Sequence, residues 1–301
     1  MNNNNKEEGK ILVTGATGTV GSEVVKRLVA IFNENAVRAA VHSKNNVDKI
    51  REFTNKGVEF VELDYTKPET ITNALSHVDK LYLQTLPIPE IIDICSTIVK
   101  EAKKNGVNHI VKLSAMGADP ESRTTILRLH GEEEEIIKES GIPYTFLRPP
   151  AFMQNFITQF GQTIKSQNAF YVPAGDAKMS FVDARDIAAV SAVILMNSGT
   201  QYFNKAYDIT GQDALSYGQA AEILSNAVGR NVVYVGITED IAKKGLKQIG
   251  MNDWFIDIMM ELFRTIRGGY GSETTEVVED ITGRKPISFE QFAKDYADGF
   301  R

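Results

Sequence analysis

One cysteine, four histidines and one tryptophan in 301 residues leave little room for several common chemistries. Cys95 alone cannot close a disulfide within the chain or build a cysteine-ligated zinc site, and the histidines stand at scattered positions without metal-ligand spacing. A reducing compartment fits that usage. The chain has no excess of positive charge either: its formal net charge is −6, which disfavours direct docking on nucleic acid or on an anionic membrane. No apolar run reaches the length of a transmembrane helix. Residues 1–8 are polar and asparagine-rich. They carry neither the apolar core of a secretory signal nor an arginine-rich targeting pattern, so a disordered tail is expected there. Together these absences describe an expected soluble, cytoplasmic protein without a bound metal.

What is present is a hydrophobic fraction of 43% against 24% charged residues, enough for one large core or one domain with a smaller lobe. Short apolar runs at 10–14, 36–41, 58–63, 80–83, 109–113 and 144–147 read as strands. Between them, amphipathic stretches at 18–32, 46–55, 68–76, 91–104 and 124–139 read as helices, the last two closed by Asn105-Gly106 and Ser140-Gly141. That alternation predicts an α/β fold, a Rossmann-type doubly wound parallel sheet over 9–150. After Pro149-Pro150 the alternation breaks down, with isolated strands at 178–182, 206–209 and 232–235. Residues 151–301 are therefore expected to form a smaller C-terminal α/β lobe interleaved with the sheet edge, over the carboxyl ends of the strands.

The segment Thr14-Gly15-Ala16-Thr17-Gly18-Thr19-Val20-Gly21 follows the first strand directly and opens the first helix. In that context its glycines have separate tasks: Gly15 the tight turn, Gly18 close approach of backbone amides to a pyrophosphate, Gly21 close packing of helix on strand. The N-terminal amides and dipole of the helix suit phosphate. A nicotinamide dinucleotide is the expected cofactor. At the end of the second strand, where a carboxylate would hold free ribose hydroxyls, the chain reads Val41-His42-Ser43-Lys44. His42, Ser43 and Lys44 can all donate to a 2′-phosphate, which favours NADP(H) over NAD. Asp64, just past the third strand, is placed either to meet the adenine amino group or to form the turn before Thr66-Lys67-Pro68.

Those residues, with Leu113-Ser114-Ala115-Met116-Gly117, Gly141-Ile142-Pro143-Tyr144-Thr145-Phe146-Leu147-Arg148-Pro149, Phe152-Met153-Gln154-Asn155 and Phe181-Val182-Asp183-Ala184-Arg185-Asp186-Ile187-Ala188, carry a resemblance to the NmrA-like branch of atypical short-chain dehydrogenases. It runs essentially end to end. The family includes co-regulators that bind dinucleotide without turnover, redox sensors, and reductases of quinones and dyes, so the resemblance implies a fold more firmly than a function. It implies that Gln84 and Thr85 flank the cofactor and that Phe152, Met153, Gln154 and Asn155 border the nicotinamide face, although Phe152 and Met153 also suit core packing. Asn155, polar in an apolar stretch, is expected to meet a ligand.

A working short-chain dehydrogenase pairs a serine after the fifth strand with a tyrosine four residues before a lysine, whose charge lowers the tyrosine's pKa. Ser114 stands at the serine's place, where it contacts the carboxamide or simply finishes the strand. The family frame puts Ile126 at the tyrosine position and His130 at the lysine position. None of the ten tyrosines is followed four residues later by lysine. His130 is open to three readings: a partly exposed helix residue, a contact to the nicotinamide ribose, or a general acid. Ser114 and His130 are the candidate catalytic residues.

Other segments have simpler readings. Cys95 suits helix packing better than a reactive thiol. Glu132 to Glu135 reads as a solvated helix face, and Asp183 or Asp186 as a helix cap. Trp254, Phe255, Ile258, Met259, Leu262, Phe263 and Ile266 recur at helical spacing, forming a lid over the cleft or a face for a partner protein. The glycine-rich stretch after that helix, 267–271, reads as a mobile loop. Two functions follow. The first is a redox-responsive regulator that reports the state of NADP(H) through a protein partner on the C-terminal lobe. The second is an NADPH-dependent reductase of a flat, quinone-like acceptor.

Overall fold

The computed structural model describes residues 9–31, 36–42, 53 and 56–301. The helix expected at 46–55 lies outside the described residues except for Phe53. The first half of the chain runs β1 (Lys10–Val13), α1 (Thr19–Val29), β2 (Val37–Val41), β3 (Glu59–Glu62), α2 (Pro68–Leu75), β4 (Val78–Leu83), α3 (Ile91–Lys104), β5 (His109–Leu113), α4 (Thr125–Ser140) and β6 (Tyr144–Arg148). The second half adds α5 (Asn155–Thr158), α6 (Gly161–Gln167), β7 (Ala169–Val172), β8 (Lys178–Met179), α7 (Ala184–Met196), β9 (Lys205–Asp208), β10 (Leu215–Ser216), α8 (Tyr217–Val228), β11 (Val233–Gly236), α9 (Glu239–Gln248), α10 (Asp253–Arg267), α11 (Val277–Thr282) and α12 (Phe289–Asp295).

Seven strands form the main sheet in the order β3-β2-β1-β4-β5-β6-β9, and every pairing in it is parallel. This is the Rossmann-type arrangement, with the order reversing between β1 and β4. Both faces are covered, so the central strands are largely apolar on both sides rather than alternating. Ile11 and Val13 point into one core with α1, α7 and α11. Leu12, one residue out of phase, points into the other with α2, α3 and α4. The buried residues of α3 show why it is a helix: Ile91, Cys95, Ile98, Val99 and Ala102 fall on one face. Its end follows from Asn105 and from Gly106 at φ +77°.

The strand expected at 206–209 spans Lys205–Asp208 and lies in the main sheet, parallel to β6, while α7 packs on α1 beneath it. The segment expected as a strand at 178–182 pairs over only two residues, with β10. Beyond Met179 the Ser180 amide and hydroxyl turn instead to the Gly271 carbonyl, at 2.7 and 2.9 Å. The remaining second-half elements build a core of their own around Phe156, whose ring meets Phe170, Phe181 and Phe289 edge-on.

The acidic run of α4 is not a solvated face. Glu133 and Glu134 are buried against the sheet because each meets a cation from a strand. Glu133 Oε2 lies 2.9 Å from Lys112 Nζ on β5, with both side chains fully buried. Lys112 also donates to the Leu113 carbonyl at 2.8 Å and to Thr85 Oγ1 at 3.3 Å. Glu134 accepts from Ser114 Oγ at 2.6 Å, from Arg148 Nε at 2.9 Å and from Arg148 Nη2. Glu132 and Glu135 keep the solvated role, pairing with Arg128 and Lys138 along the outer face.

Two stability predictions follow from α4. Against the cost of burial, the Lys112 charge and the His130 hydrogen bond hold Glu133 down to about 2 from an ordinary 4.5. A carboxylate depressed in this way contributes fully above pH 4.5 and loses its contribution as pH falls toward 2. Glu133→Gln strands the Lys112 charge, so it is expected to cost about 3–5 kcal/mol at neutral pH and to flatten the loss of stability below pH 4.5. Denaturant titrations across that range measure both effects. Gly131 is the second position: a Cβ there would lie 2.2 Å from the Asp119 carbonyl carbon and 2.3 Å from Pro120 N. Backbone cannot yield as a side-chain tip can, so overpacking of about 1–3 kcal/mol outweighs the gain in helix propensity of roughly 1 kcal/mol. Gly131→Ala should therefore lower the urea midpoint, and an unchanged or higher midpoint would contradict this packing.

Candidate functional site

The carboxyl end of β1 is tied to that of β4 by one side chain. Thr14 Oγ1 accepts from the Gln84 amide at 2.8 Å and donates to the Gln84 carbonyl at 2.9 Å. The tie sits where the strand order reverses, and a cleft of about 690 Å³ opens beside it. That volume is in the range that small-molecule and cofactor sites occupy.

The glycine loop forms one wall. Gly15 adopts φ +63°, a left-handed conformation that costs a side-chain-bearing residue dearly. A Cβ on Gly21 would lie 2.1 Å from the Gly15 carbonyl oxygen, so only glycine lets α1 start this close to the turn. Gly18 is the N-cap and no side chain caps the helix. The first-turn amides of Thr19, Val20 and Gly21 have no intrahelical acceptors and are left for a ligand. Side chains of Asp183, Ser216, Thr238, Asn252 and Ser288 cap α7, α8, α9, α10 and α12, whereas α2, α3, α5, α6 and α11 share the uncapped start of α1; at α1 that start faces the cleft from the glycine loop. Ala16 and Val20 are packed into the core, while Gly15, Thr17 and Gly18 line the cleft.

The opposite walls come from the ends of β2, β3 and β4. His42, exposed at the end of β2, lines the cleft; Ser43 and Lys44, expected beside it, lie outside the described residues. Asp64 lines it too, but its carboxylate is engaged in a turn, accepting from the Thr66 hydroxyl at 2.7 Å and the Thr66 amide at 3.0 Å. Those bonds, with Lys67, hold its pKa down to about 2. Gln84 packs over the glycine loop, its Cδ 3.1 Å from where a Cβ on Gly15 would stand, and its Oε1 is buried without a partner among the described residues. Thr85 lines the cleft and touches Lys112 behind it. Tyr65, Leu86, Ile88 and Ile94 add apolar wall. They were not singled out from sequence, although their places after β3 and β4 and at the start of α3 follow from the topology.

Ser114, His130, Phe152, Met153, Gln154 and Asn155 do not line this cleft. Ser114 is buried and spends its hydroxyl on Glu134. His130 places Nδ1 3.1 Å from Glu133 Oε2 and keeps 17% of its side chain exposed. Burial first, then the Lys112 charge, hold its pKa below the ordinary 6.5, against the pull of Glu133. Phe152 bridges to Val182, and Met153 is buried in the second-half core. Gln154 is buried between α7 and its cap, donating to Asp183 Oδ1 and accepting from the Ala184 amide, both at 2.9 Å. Asn155 opens α5. Asp183 caps α7 as expected.

The C-terminal elements reach this second group. The apolar helix expected at 252–267 is α10, capped by Asn252, with Ile256, Ile258, Met260, Phe263 and Ile266 buried. Thr265 Oγ1 meets Thr124 Oγ1 at 2.7 Å, and Glu261 accepts from the Thr125 amide at 2.9 Å, capping α4 from outside. The glycine-rich stretch after α10 is tied rather than free. Tyr270 donates its hydroxyl to the Met116 carbonyl at 2.8 Å, beside Gly117 at φ +69°, and Gly271 receives Ser180. Burial raises the Tyr270 pKa. No sequence signal marked Tyr270, because its contact spans more than 150 residues. Cys95 is buried, its thiol pushed up to about 12 by burial and by Glu133, which suits packing and not reactivity. Among the described residues no cluster of histidine, cysteine and carboxylate side chains could hold a metal ion, and no helix is long and apolar enough to cross a membrane.

Comparison with known proteins places this architecture. The chain is 38% identical over 290 residues to an NAD(P)H azoreductase of Xenophilus azovorans, covering 96% of this chain and 99% of the relative. It is 30% identical over 287 residues to prestalk A differentiation protein A of Dictyostelium discoideum, covering 95% and 91%. Among solved structures, the NADPH complex of the NADPH-dependent quinone oxidoreductase QOR2 of Escherichia coli superposes with a TM-score of 0.83 at 25% identity, covering 95% of this chain and 99% of that one. The family profile described as NmrA-like matches residues 7–292, and the chain belongs to the NmrA-like family.

Proposed function

We propose that this protein is an NADPH-dependent reductase of a flat conjugated acceptor such as a quinone or an azo compound. The observation that carries the dinucleotide part is the uncapped start of α1, held against Gly15 by Gly21 and facing a cleft at the reversal of strand order. Its free amides and positive dipole end suit a pyrophosphate. The unpartnered Gln84 Oε1 above the loop, a buried acceptor that costs free energy until a donor reaches it, fits the same ligand. His42 at the end of β2, followed in sequence by no carboxylate before Asp48, favours the 2′-phosphorylated form, and Ser43 and Lys44 belong to the same proposal.

When bound, the dinucleotide supplies a hydride. The chain's own part is to hold and orient: Thr17, Gly18 and the α1 amides at the phosphates, Asp64 near the adenine, Gln84 and Thr85 beside the sugar. Ser114, His130 and residues 152–155 are proposed to border the nicotinamide end. Residues 151–301 supply a lobe whose α10 and Tyr270 roof the segment after β5, keeping water from the acceptor. Hydride transfer depends on orientation more than on a protein acid, so the loss of the Tyr and Lys pair at Ile126 and His130 does not by itself disable the site. The likeness to an azoreductase and to a quinone oxidoreductase supports this reading.

A regulatory role through a partner is the second reading. It is favoured by the same missing pair and by a relative whose name refers to differentiation. Binding would act there only through unequal affinity for two conformations.

Two measurements test the proposal. Calorimetry should show NADPH bound in preference to NADH, and Gly18→Asp, which sets a carboxylate at the start of α1 from an extended backbone whose Cβ would stand 3.1 Å from the Gly15 carbonyl oxygen, should weaken NADPH by roughly tenfold or more, equivalent to about 1.4 kcal/mol. Absence of heat from either nucleotide would end the dinucleotide reading. Loss of absorbance at 340 nm on adding quinones or azo dyes to enzyme and NADPH should show turnover. Tight binding with no turnover across the panel, together with a partner captured only when the Trp254 helix is intact, would favour the regulator instead.

A further inference from the structure

The fully buried Lys112–Glu133 pair leads directly to His130. His130 and Glu133 stand three apart on α4, on one face of the helix. Glu133 Oε2 is shared between Lys112 Nζ at 2.9 Å and His130 Nδ1 at 3.1 Å. An ionised carboxylate can only accept. Nδ1 must therefore carry the hydrogen, and in a neutral ring Nε2 must be the bare nitrogen.

We propose that the Lys112–Glu133 pair is a positioning device that fixes His130 as the neutral Nδ1–H tautomer, so that its Nε2 accepts a hydrogen bond from a sugar hydroxyl of the bound dinucleotide. This rests on the dinucleotide reading given above. The geometry points to it in three ways. First, Nε2 makes no hydrogen bond among the described residues, while the ring keeps partial access to solvent. Second, a Glu133 charge facing the ring alone would draw a second proton onto it, and Lys112 compensates that charge at contact distance. Third, Lys112 is anchored independently of His130, to the Leu113 carbonyl and to Thr85, so the cation that draws Glu133 Oε2 stands in a fixed place.

The other groups around the pair keep that balance. Glu134 on α4 is neutralised by Arg148 from β6. The Cys95 thiol of α3 and the Tyr65 phenol stand near Glu133 and are both pushed up, so they carry no charge at neutral pH. From α10, Glu261 is engaged with the Thr125 amide at the N-terminus of α4. A lysine at position 130 could only donate to a sugar hydroxyl. A neutral histidine with Nδ1 occupied reverses the polarity, making the hydroxyl the donor. The same state leaves no proton on Nε2 to give away, so the proton that completes reduction of an acceptor comes from solvent and not from His130.

The test uses the wild-type protein, whose four histidines keep the spectrum simple. Long-range ¹H–¹⁵N correlation on protein with ¹⁵N-labelled histidine, with His130 assigned by its disappearance in His130→Asn, reports the tautomer directly. The expected result at pH 7 is a protonated Nδ1 and a bare Nε2, with a titration midpoint below 6.5, and an Nε2 resonance that moves upfield as NADPH saturates. An Nε2–H tautomer, or a midpoint above 6.5, would overturn the role of the pair. An Nε2 resonance unmoved under NADPH that calorimetry shows to be bound would overturn the sugar contact. No heat from NADPH, with the expected tautomer in place, would instead defeat the dinucleotide reading and the sugar contact with it. In Lys112→Met the uncompensated Glu133 should raise the midpoint by about one unit or more. If that variant does not fold, the wild-type spectrum still decides the question.

Discussion

The contact on which the site depends is the approach of Gly21 to the Gly15 carbonyl. With 2.1 Å between that oxygen and any Cβ at position 21, a single methyl group would push α1 away from the end of β1. The amides of its first turn would then no longer face the cleft. Much else in the first half serves to hold this approach. Val20, Val24, Val25 and Leu28 seat α1 on the sheet and on α7, and the Thr14 hydroxyl locks the turn to the end of β4. The absence of an N-cap side chain, a fault in an ordinary helix, leaves donors free where a phosphate would be received.

The second half of the site is organised by buried charge instead of by glycine. Removing Lys112 and Glu133 from water is costly, and an apolar pair would pack as well at less expense. Here the pair also meets an imidazole, through Glu133 Oε2 and His130 Nδ1, which is the orienting role proposed for it. Glu134, Arg148 and Ser114 form a parallel arrangement one residue along α4. Together the two sets pin α4 to β5 and β6, and they determine which polar atoms remain free. Ser114 has spent its hydroxyl and Gln154 its amide, whereas His130 Nε2 and Gln84 Oε1 have not.

How much of this was legible in the sequence depends on whether the deciding interaction is local. β5 and α3 could be read to the residue, since an apolar run or one helical face is bounded by Asn or Gly. The glycine loop was legible because a strand, a turn and a helix start are consecutive in the chain. The burial of Glu133 and Glu134 was not, because four adjacent glutamates ordinarily mark a wet surface. The available clue lay elsewhere: Lys112 interrupts the apolar run of β5, and a cation within a strand covered on both faces needs an anion from the helix packed on it. Tyr270 offered no clue at all. Its partner is a backbone carbonyl far away in sequence, and the glycines beside it suggest freedom where the structure shows Gly271 held by Ser180.

The division of labour between the halves bears on what kind of protein this is. A site that only senses a dinucleotide needs a grip on the ligand and an element free to move when it binds. Here α10 caps α4 through Glu261, meets Thr124 through Thr265 and delivers Tyr270 to the Met116 carbonyl, so the C-terminal lobe is fastened where the nicotinamide end is proposed to lie. Fastening of that kind limits the travel of a lever but favours exclusion of water from a reacting pair. Two polar atoms of the proposed site agree: Nε2 and Gln84 Oε1 are acceptors suited to hold a ligand, not acids suited to drive its chemistry. The proposed arrangement, in which the chain orients both reactants and the proton comes from solvent, matches acceptors that take a hydride readily, as quinones and other flat conjugated compounds do.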